Sequence, residues 1–326
     1  MCLAALAKQS IAPSEYEVLI GIDGPDQTSI AAAKSSWGTH KAHLEIVPCP
    51  KAGLNATRNA ALRKARGRYL ISINDDIVPE PNFLEAHLRA HQQAEAKGQP
   101  AIISGYSPFV DFPNPTIFDR LAQHTSMLFF YDQMLGEKAR PANHDWGFRH
   151  CWGLNFSAPL AAVREVGAFT AIPMLYGYDD IEIAWRLNRR YQMPVLFVPE
   201  ARADHDHRYQ PRDIIKREYN LGLTAWHFAE LNPGFAQDVF KRDIRSAAEL
   251  AYSREFISRE ESAAKRLEQS FLDLADIPAS SIEAPQSNGT NPHTAPLLNL
   301  IYEQHLLLKR YHWRRGLLAA SSQSGR

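Results

Sequence analysis

The stretch Gly177-Tyr-Asp-Asp-Ile-Glu-Ile-Ala-Trp-Arg-Leu187, followed by Pro199-Glu-Ala-Arg-Ala-Asp-His-Asp-His207, decides how this chain is read. Asp179, Asp180 and Glu182 open a helix whose buried face is supplied by Ile181, Ile183, Ala184 and Leu187. Acidic groups in a first turn complement the helix dipole, so they need no other reason to be there. Val195-Leu-Phe-Val198 reads as a strand, and His205 and His207 lie beyond it. In extended backbone, residues i and i+2 point to the same side, so a ligand role for one or both histidines is open. Surface or core positions are the alternative for such a pair.

Upstream, a second acidic cluster, Asn74-Asp75-Asp76, follows the apolar run Tyr69–Ile73. Adjacent carboxylates in a tight turn repel each other unless a cation or hydrogen-bond donors compensate. Mg²⁺ and Mn²⁺ favour carboxylate oxygens and usually share their shell with substrate phosphates. An acidic turn that caps the next helix is the other reading. Asn55-Ala-Thr-Arg58-Asn59 begins a helix whose N–H groups and Arg58 suit an anion, or equally an N-capped surface helix. Carboxylates leaving one strand and a histidine leaving another can converge on one divalent metal, with a separate carboxylate left as a base.

Working outward, residues 3–9 read as the end of a short helix and Tyr16–Ile22 as a strand closed by the turn Asp23-Gly-Pro-Asp26. Leu44–Val47 is a second strand, Asn55–Arg66 a helix stopped by Gly67, Tyr69–Ile73 a buried strand, and Glu80–Lys97 a helix introduced by prolines. This alternation predicts an α/β fold with a mostly parallel sheet covered by helices. Ligands of such sheets bind outside the carboxyl ends of the strands, where Asp23 and Asn74–Asp76 lie. Residues 101–152 are proline-broken and rich in aromatics, and a helix is expected over Thr116–Leu135. Ala158–Val166 and Asp179–Arg190 read as helices. Beyond Arg208 the pattern becomes helical over Pro211–Leu231, Pro233–Ala275 and, after a Pro/Ser/Asn/Gly-rich linker, Leu297–Leu318.

At 326 residues and 45% hydrophobic, the chain buries a large core. Its 36 Lys and Arg balance 36 Asp and Glu, so no basic field argues for nucleic acid. Cys2, Cys49 and Cys151 are scattered, which fits a reducing compartment and offers neither a disulfide framework nor a cysteine zinc site. No membrane-spanning run or signal peptide is legible, so the expectation is a cytoplasmic protein. Leu297, Leu300, Ile301, Leu308 and Tyr311 share a face of the last helix, and Lys309, Arg310, Arg314 and Arg315 make one end basic. Such a helix docks on the protein or lies peripherally on an anionic inner membrane face; docking is the preferred reading.

Together these pieces resemble family 2 of the inverting glycosyltransferases, whose nucleotide-sugar-binding fold is called GT-A. The resemblance runs from the start to about His207. Tyr16–Asp26 is similar to the strand and acidic turn that hold the nucleoside. Gly53, Ala56-Thr-Arg58-Asn59-Ala60 and Ala65-Arg-Gly67-Arg-Tyr69 resemble the helix and glycine before the metal strand. Asn74-Asp75-Asp76 takes the place of the D-x-D metal motif. Trp152-Gly-Leu-Asn155-Phe-Ser157 with Val166-Gly-Ala-Phe169 is similar to the acceptor-side loop and helix, and Gly177-Tyr-Asp179-Asp180 to the G-x-E-D element. His205 falls where several members have a late metal ligand.

The resemblance implies a GT-A catalytic domain over residues 1–207, then a helical extension over 208–276, a linker over 277–296 and a C-terminal amphipathic helix and tail over 297–326. It implies a metal-dependent inverting transfer of a sugar from a nucleotide-diphosphate sugar to a glycan, lipid-linked or protein acceptor hydroxyl, as in polysaccharide biosynthesis. In that scheme Asp180 is the base. Asp76 and His205 hold Mn²⁺ or Mg²⁺. Asp23, Arg58, Asn74 and Asp75 face the donor, and Trp152, Asn155, Tyr178, Asp179 and Glu182 the acceptor. Two departures stand out. Asn74 replaces the first acid of D-x-D, leaving Asp76 to carry the coordination. The family's first strand, expected before residues 1–9, is missing, which points to a start farther upstream or an incomplete nucleotide pocket. A catalytically idle nucleotide-sugar-binding scaffold and a nucleotidyltransferase are the alternatives.

Overall fold

The computed structural model describes residues 1–283 and 294–324, which form two compact units. Residues 1–110 with 140–206 make the first, and 111–139 with the described residues from 207 onward make the second. The segment 111–139, which the sequence reading places inside a 1–207 domain, thus clusters with the later helices. Residues 284–293, half of the expected linker over 277–296, lie outside the described residues.

The first unit begins with α1 (Cys2–Leu6), β1 (Glu17–Asp23), α2 (Gln27–Trp37), β2 (His43–Cys49), α3 (Leu54–Lys64), β3 (Tyr69–Ile73), β4 (Ile77–Pro79), α4 (Phe83–Ala96) and β5 (Ile102–Tyr106). Strands β1 and β2 pair in parallel, and β2 runs through Pro48, which the sequence suggested as its stop. Proline is tolerated there because β2 has a neighbour on one side only.

After residue 140 the unit adds β6 (Asn155–Pro159), α6 (Leu160–Glu165), α7 (Asp179–Tyr191) and β7 (Val195–His205). The larger sheet has the order β3-β6-β5-β7-β4. Strand β7 is parallel to β5, β6 is antiparallel to both β5 and β3, and β4 is antiparallel to β7. Strands β3, β5 and β7 therefore run the same way, and their carboxyl ends share one edge. The α/β class is as expected, with β6 and β4 reversed within the sheet.

The apolar core lies where α6 and α7 pack on β5, β6 and β7. Phe156, Val163, Ile183, Ala184 and Leu187 are all fully buried there. Helix α7 forms as its sequence dictates, with Asp179, Asp180 and Glu182 in the first turn and Arg189 and Arg190 in the last. Strand β5 is not legible in the sequence, and Ala158, where a helix is expected to begin, belongs to β6. Both β5 and β6 are buried on both faces, so neither alternates as a half-exposed strand would.

The second unit contains α5 (Ile117–His124), α8 (Pro211–Leu231), α9 (Pro233–Phe240), α10 (Ala247–Asp273) and α11 (Thr294–Ser324). Helix α5 covers only the first part of the predicted Thr116–Leu135; its Thr116–Asp119 capping box closes the start. Helix α11 packs on α8 and α10. Gly222 of α8 and Gly316 of α11 make the crossing possible: a Cβ on either would lie 1.9 Å from a carbonyl oxygen of the other helix. The expected apolar stripe of α11 is only partly right. Leu308 and Tyr311 are buried along with Leu298 and Leu317, whereas Leu297 and Leu300 are exposed.

Candidate active site

Strand direction builds the site. Residues Asn74–Asp76 leave the carboxyl end of β3, and β4, which follows at once, pairs Ile77 with His205 at the end of β7. That register carries Asp76 to His205: Oδ2 of Asp76 lies 3.4 Å from Nε2 of His205. The His205 ring is buried and stacked on Phe109 at 4.9 Å, while Asp76 keeps 28% of its side chain exposed. Asp75 is exposed, and His207 is exposed and belongs to the helical unit. His205 is thus the histidine that this register brings to the acidic turn.

Cys2 of α1 lies against the same turn, its Sγ 3.7 Å from the Asn74 carbonyl oxygen. Burial, assisted by the nearby Asp75 and Asp76 carboxylates, pushes the thiol up to about 11, so it is inert at neutral pH.

Arg58 of α3 joins the acidic turn to α7. One guanidinium nitrogen donates to Oδ2 of Asp179 at 3.2 Å, and the other donates to Oδ1 of Asn74 at 2.8 Å and to the Gly153 carbonyl at 3.4 Å. The guanidinium also lies over the Phe169 ring. The fork-shaped donor set serves several acceptors at once, which a lysine ammonium does less well. Asn74 acquires a physical role here, as a neutral acceptor for Arg58.

The mouth of α7 is set by a backbone turn. Gly177 has φ 115°, and Tyr178 is left-handed at φ 63°, a conformation that costs a non-glycine residue energy. The turn aims Asp179 and Asp180 differently. Asp179 is 5% exposed and accepts from the Gly177 N–H as well as from Arg58. Asp180 keeps part of its surface open; Oδ2 accepts from the Gly153 N–H and Oδ1 from the Ile181 N–H, both at 2.8 Å. Burial and the neighbouring Asp179 charge raise its pKa to about 6, against the opposing pull of those two N–H groups and Arg58. A carboxylate mostly ionised at neutral pH yet unusually basic is suited to proton abstraction.

Gly153 was missed in the sequence and sits at the centre of this arrangement. Its N–H holds Asp180, and its carbonyl accepts from Arg58 and from the Ser72 hydroxyl. Trp152, beside it, is 7% exposed. Its place in Trp152-Gly-Leu is the one sequence signal, because a glycine beside a large aromatic marks a close backbone approach.

Asp23 lies elsewhere in the same unit. Its carboxylate accepts from the Ala52 and Gly53 N–H groups and pairs with Lys51 at 2.9 Å. These partners, Lys51 first, hold its pKa far below the usual carboxylate range.

The structure does not bring Asn155 or Glu182 to the open surface. Asn155 is 1% exposed; it donates to the Ala201 carbonyl and Ser107 hydroxyl, and its carbonyl oxygen meets His87 at 3.0 Å. His87 and His91 both reach the Ser157 hydroxyl, and burial pushes their pKa values down to about 4 and about 3. This neutral polar network beneath the sheet edge was not legible in the sequence. Glu182 is 1% exposed, and its two oxygens are held by Arg186 and the Thr170 hydroxyl. Both residues serve the fold here.

Among the described residues no three His, Cys, Asp or Glu side chains gather as a metal-ligand set. Asp76 and His205 nevertheless suit a cation whose shell is completed by phosphate and water, the usual arrangement for Mg²⁺. Two donors at ~2.1 Å and a right angle stand ~3 Å apart in an octahedral shell, close to the separation seen.

Residues 1–158 match the family model for glycosyl transferase family 2. Over 259 residues the chain is 24% identical to validoxylamine A glucosyltransferase of Streptomyces hygroscopicus subsp. limoneus, covering 73% of this chain and 54% of that protein. Over 193 residues it is 25% identical to the pre-mycofactocin glycosyltransferase of Mycobacterium tuberculosis, covering 58% of this chain and 38% of that one. The chain thus spans about half the length, or less, of the curated relatives it matches. A mannosyltransferase from Pyrobaculum calidifontis, solved with GDP-Man and Mn²⁺, superposes with a TM-score of 0.51 at 16% identity, covering 99% of this chain and 81% of that one. That likeness establishes a shared GT-A fold. No described helix is long and apolar enough to cross a membrane.

Proposed function

We propose that this chain, a member of glycosyl transferase family 2 through residues 1–158, transfers a sugar from a nucleotide-diphosphate donor to an acceptor hydroxyl with inversion at the anomeric carbon. The observation that carries the reading is the Arg58 clamp, which fixes the Asn74 turn and the mouth of α7 to each other around Gly153. It sets a basic carboxylate, Asp180, beside the strand ends where ligands of α/β sheets bind.

In this reading Asp180 accepts the proton of the acceptor hydroxyl as that oxygen bonds to the sugar C1. The glycosidic bond to the diphosphate breaks on the opposite face. The N–H groups of Gly153 and Ile181 keep the carboxylate aimed throughout, and Arg58 compensates the Asp179 charge next to it. Asp76 and His205 would hold a divalent cation, which as a Lewis acid neutralises the leaving diphosphate. Trp152 and Tyr178 shield the reacting oxygen from water, which otherwise competes as acceptor. Asp23, pinned to the loop before α3, shapes the nucleoside end.

Asn74 argued for an idle binding protein in the sequence; in the structure its side-chain oxygen accepts from Arg58 and so takes part in the clamp. A peripheral membrane contact through α11 has less support, since Lys309 and Arg314 of its basic end face Glu218 and Glu249. The names of the validoxylamine relatives make glucosyl donors the first to test. Asp180→Asn should retain donor binding and lose transfer by about 10²–10⁴-fold, the usual worth of a general base. Turnover within about tenfold of wild type, or a product of retained anomeric configuration by NMR, would overturn the assignment.

A further inference from the structure

The helical unit contains a cleft of about 560 Å³ that the transfer reading does not use. Helices α8, α10 and α11 converge on it. Arg212 and Lys216 lie one turn apart on α8, and Arg315 enters from α11. Ile215 and Leu272 supply apolar wall, and Tyr219 adds a phenol.

The charges in this cleft are unbalanced. Among the described residues, Arg212, Lys216 and Arg315 make no ion pair, while elsewhere on α11 Lys309 and Arg314 reach Glu218 and Glu249. The cleft's carboxylate, Glu268, meets His312 at 3.1 Å, and burial pushes that imidazole's pKa down. Glu261, close enough to feel Arg315, is bonded to Lys265 at 2.6 Å. Three cations thus share the cleft with a single carboxylate. Like charges at i and i+4, such as Arg212 and Lys216, cost a helix a few tenths of a kcal/mol. A bound anion would remove that repulsion, and apolar wall beside the cations suits an anion that carries a hydrocarbon part.

We propose that this cleft is a second binding site, for a phosphoester or diphosphate. Its oxygens accept from Arg212, Lys216 and Arg315, while Tyr219 donates its hydroxyl and Ile215 and Leu272 cover any attached chain. The site is independent of the transfer reaction: it lies wholly within the helical unit and is read by binding alone. Free phosphoesters and lipid phosphates share this chemistry.

The test uses the full chain and the variant Arg212→Gln/Lys216→Gln/Arg315→Gln, in low salt with EDTA so that no divalent cation assists binding elsewhere. Binding of inorganic pyrophosphate is measured by calorimetry, and co-sedimentation is measured with phosphatidylglycerol and with phosphatidylcholine vesicles. The proposal expects wild type to bind pyrophosphate, phosphatidylglycerol vesicles or both, and the variant to bind at least about tenfold more weakly. Pyrophosphate binding alone identifies a soluble phosphoester; binding to the phosphatidylglycerol vesicles alone identifies a lipid phosphate. No binding of either probe, equal binding by variant and wild type, or equal uptake on phosphatidylcholine overturns the proposal. Should the triple variant misfold, exposed Arg315→Gln serves instead, with a several-fold loss expected and no change refuting the site.

Discussion

Arg58→Met removes the guanidinium fork while keeping much of the side-chain volume over Phe169. In the native protein the Arg58 side chain is 15% exposed and that of Asp179 7% exposed, so their pair is largely sheltered from water. Breaking a buried pair typically costs 3–5 kcal/mol, because one charge is left uncompensated. Asp179 would still accept from the Gly177 N–H, so the expected loss is ~2–4 kcal/mol at neutral pH. A second effect falls on Asp180, whose pKa of about 6 is already held down in part by Arg58. Without the cation it rises further.

The sign follows from linkage. A carboxyl moved from 3.8 to about 6 on folding contributes stability that is complete below 3.8 and lost as pH rises through 6. The variant should therefore be penalised more at pH 7.5 than at pH 5, and the acid limb of its pH–rate profile should move to higher pH. Urea denaturation at the two pH values and rate measurements from pH 5 to 8 test both effects. Arg58→Lys should recover part of the stability, because it restores charge without the two-pronged geometry. Equal denaturation midpoints together with an unmoved acid limb would refute the account of Arg58 as the clamp.

Other outcomes follow from the same geometry. Asp76→Ala should weaken Mn²⁺-dependent donor binding far more than Asn74→Ala, and equal Mn²⁺ titrations of the two would remove Asp76 from the metal role. Asn155→Ala removes the partner of Nε2 of His87 and one donor to the Ala201 carbonyl, and should cost ~1–3 kcal/mol in chemical denaturation. An unchanged midpoint would show that water replaces the amide. Gly222→Ala places a methyl 1.9 Å from the Trp313 carbonyl, where only backbone movement gives relief, and should cost ~3 kcal/mol or more. A thermal midpoint within a degree of wild type would mean that α8 and α11 do not cross as described.

Elements whose signals are local were legible in the residues alone. Helix α7 carries its acidic start, apolar face and basic end in thirteen consecutive residues, and β1 and β3 are β-rich runs closed by polar turns. The placement of Asn74–Asp76 and Asp179–Asp180 at element ends was legible for the same reason. Tertiary structure decided what those ends meet. Strands β5 and β6 escaped because burial on both faces erases the alternation that marks a strand. The pairing of Ile77 with His205 brings that histidine to the acidic turn, and no periodicity encodes such a register. Arg58, expected to face the donor, bonds Asn74 and Asp179, 16 and 121 residues away. Asn155 and Glu182 resembled pocket residues by type and position, yet both are buried within hydrogen-bond networks whose partners come from distant segments. Hydrogen-bond partners at such separations are fixed by packing, and packing is a property of the whole fold that no single stretch of chain contains.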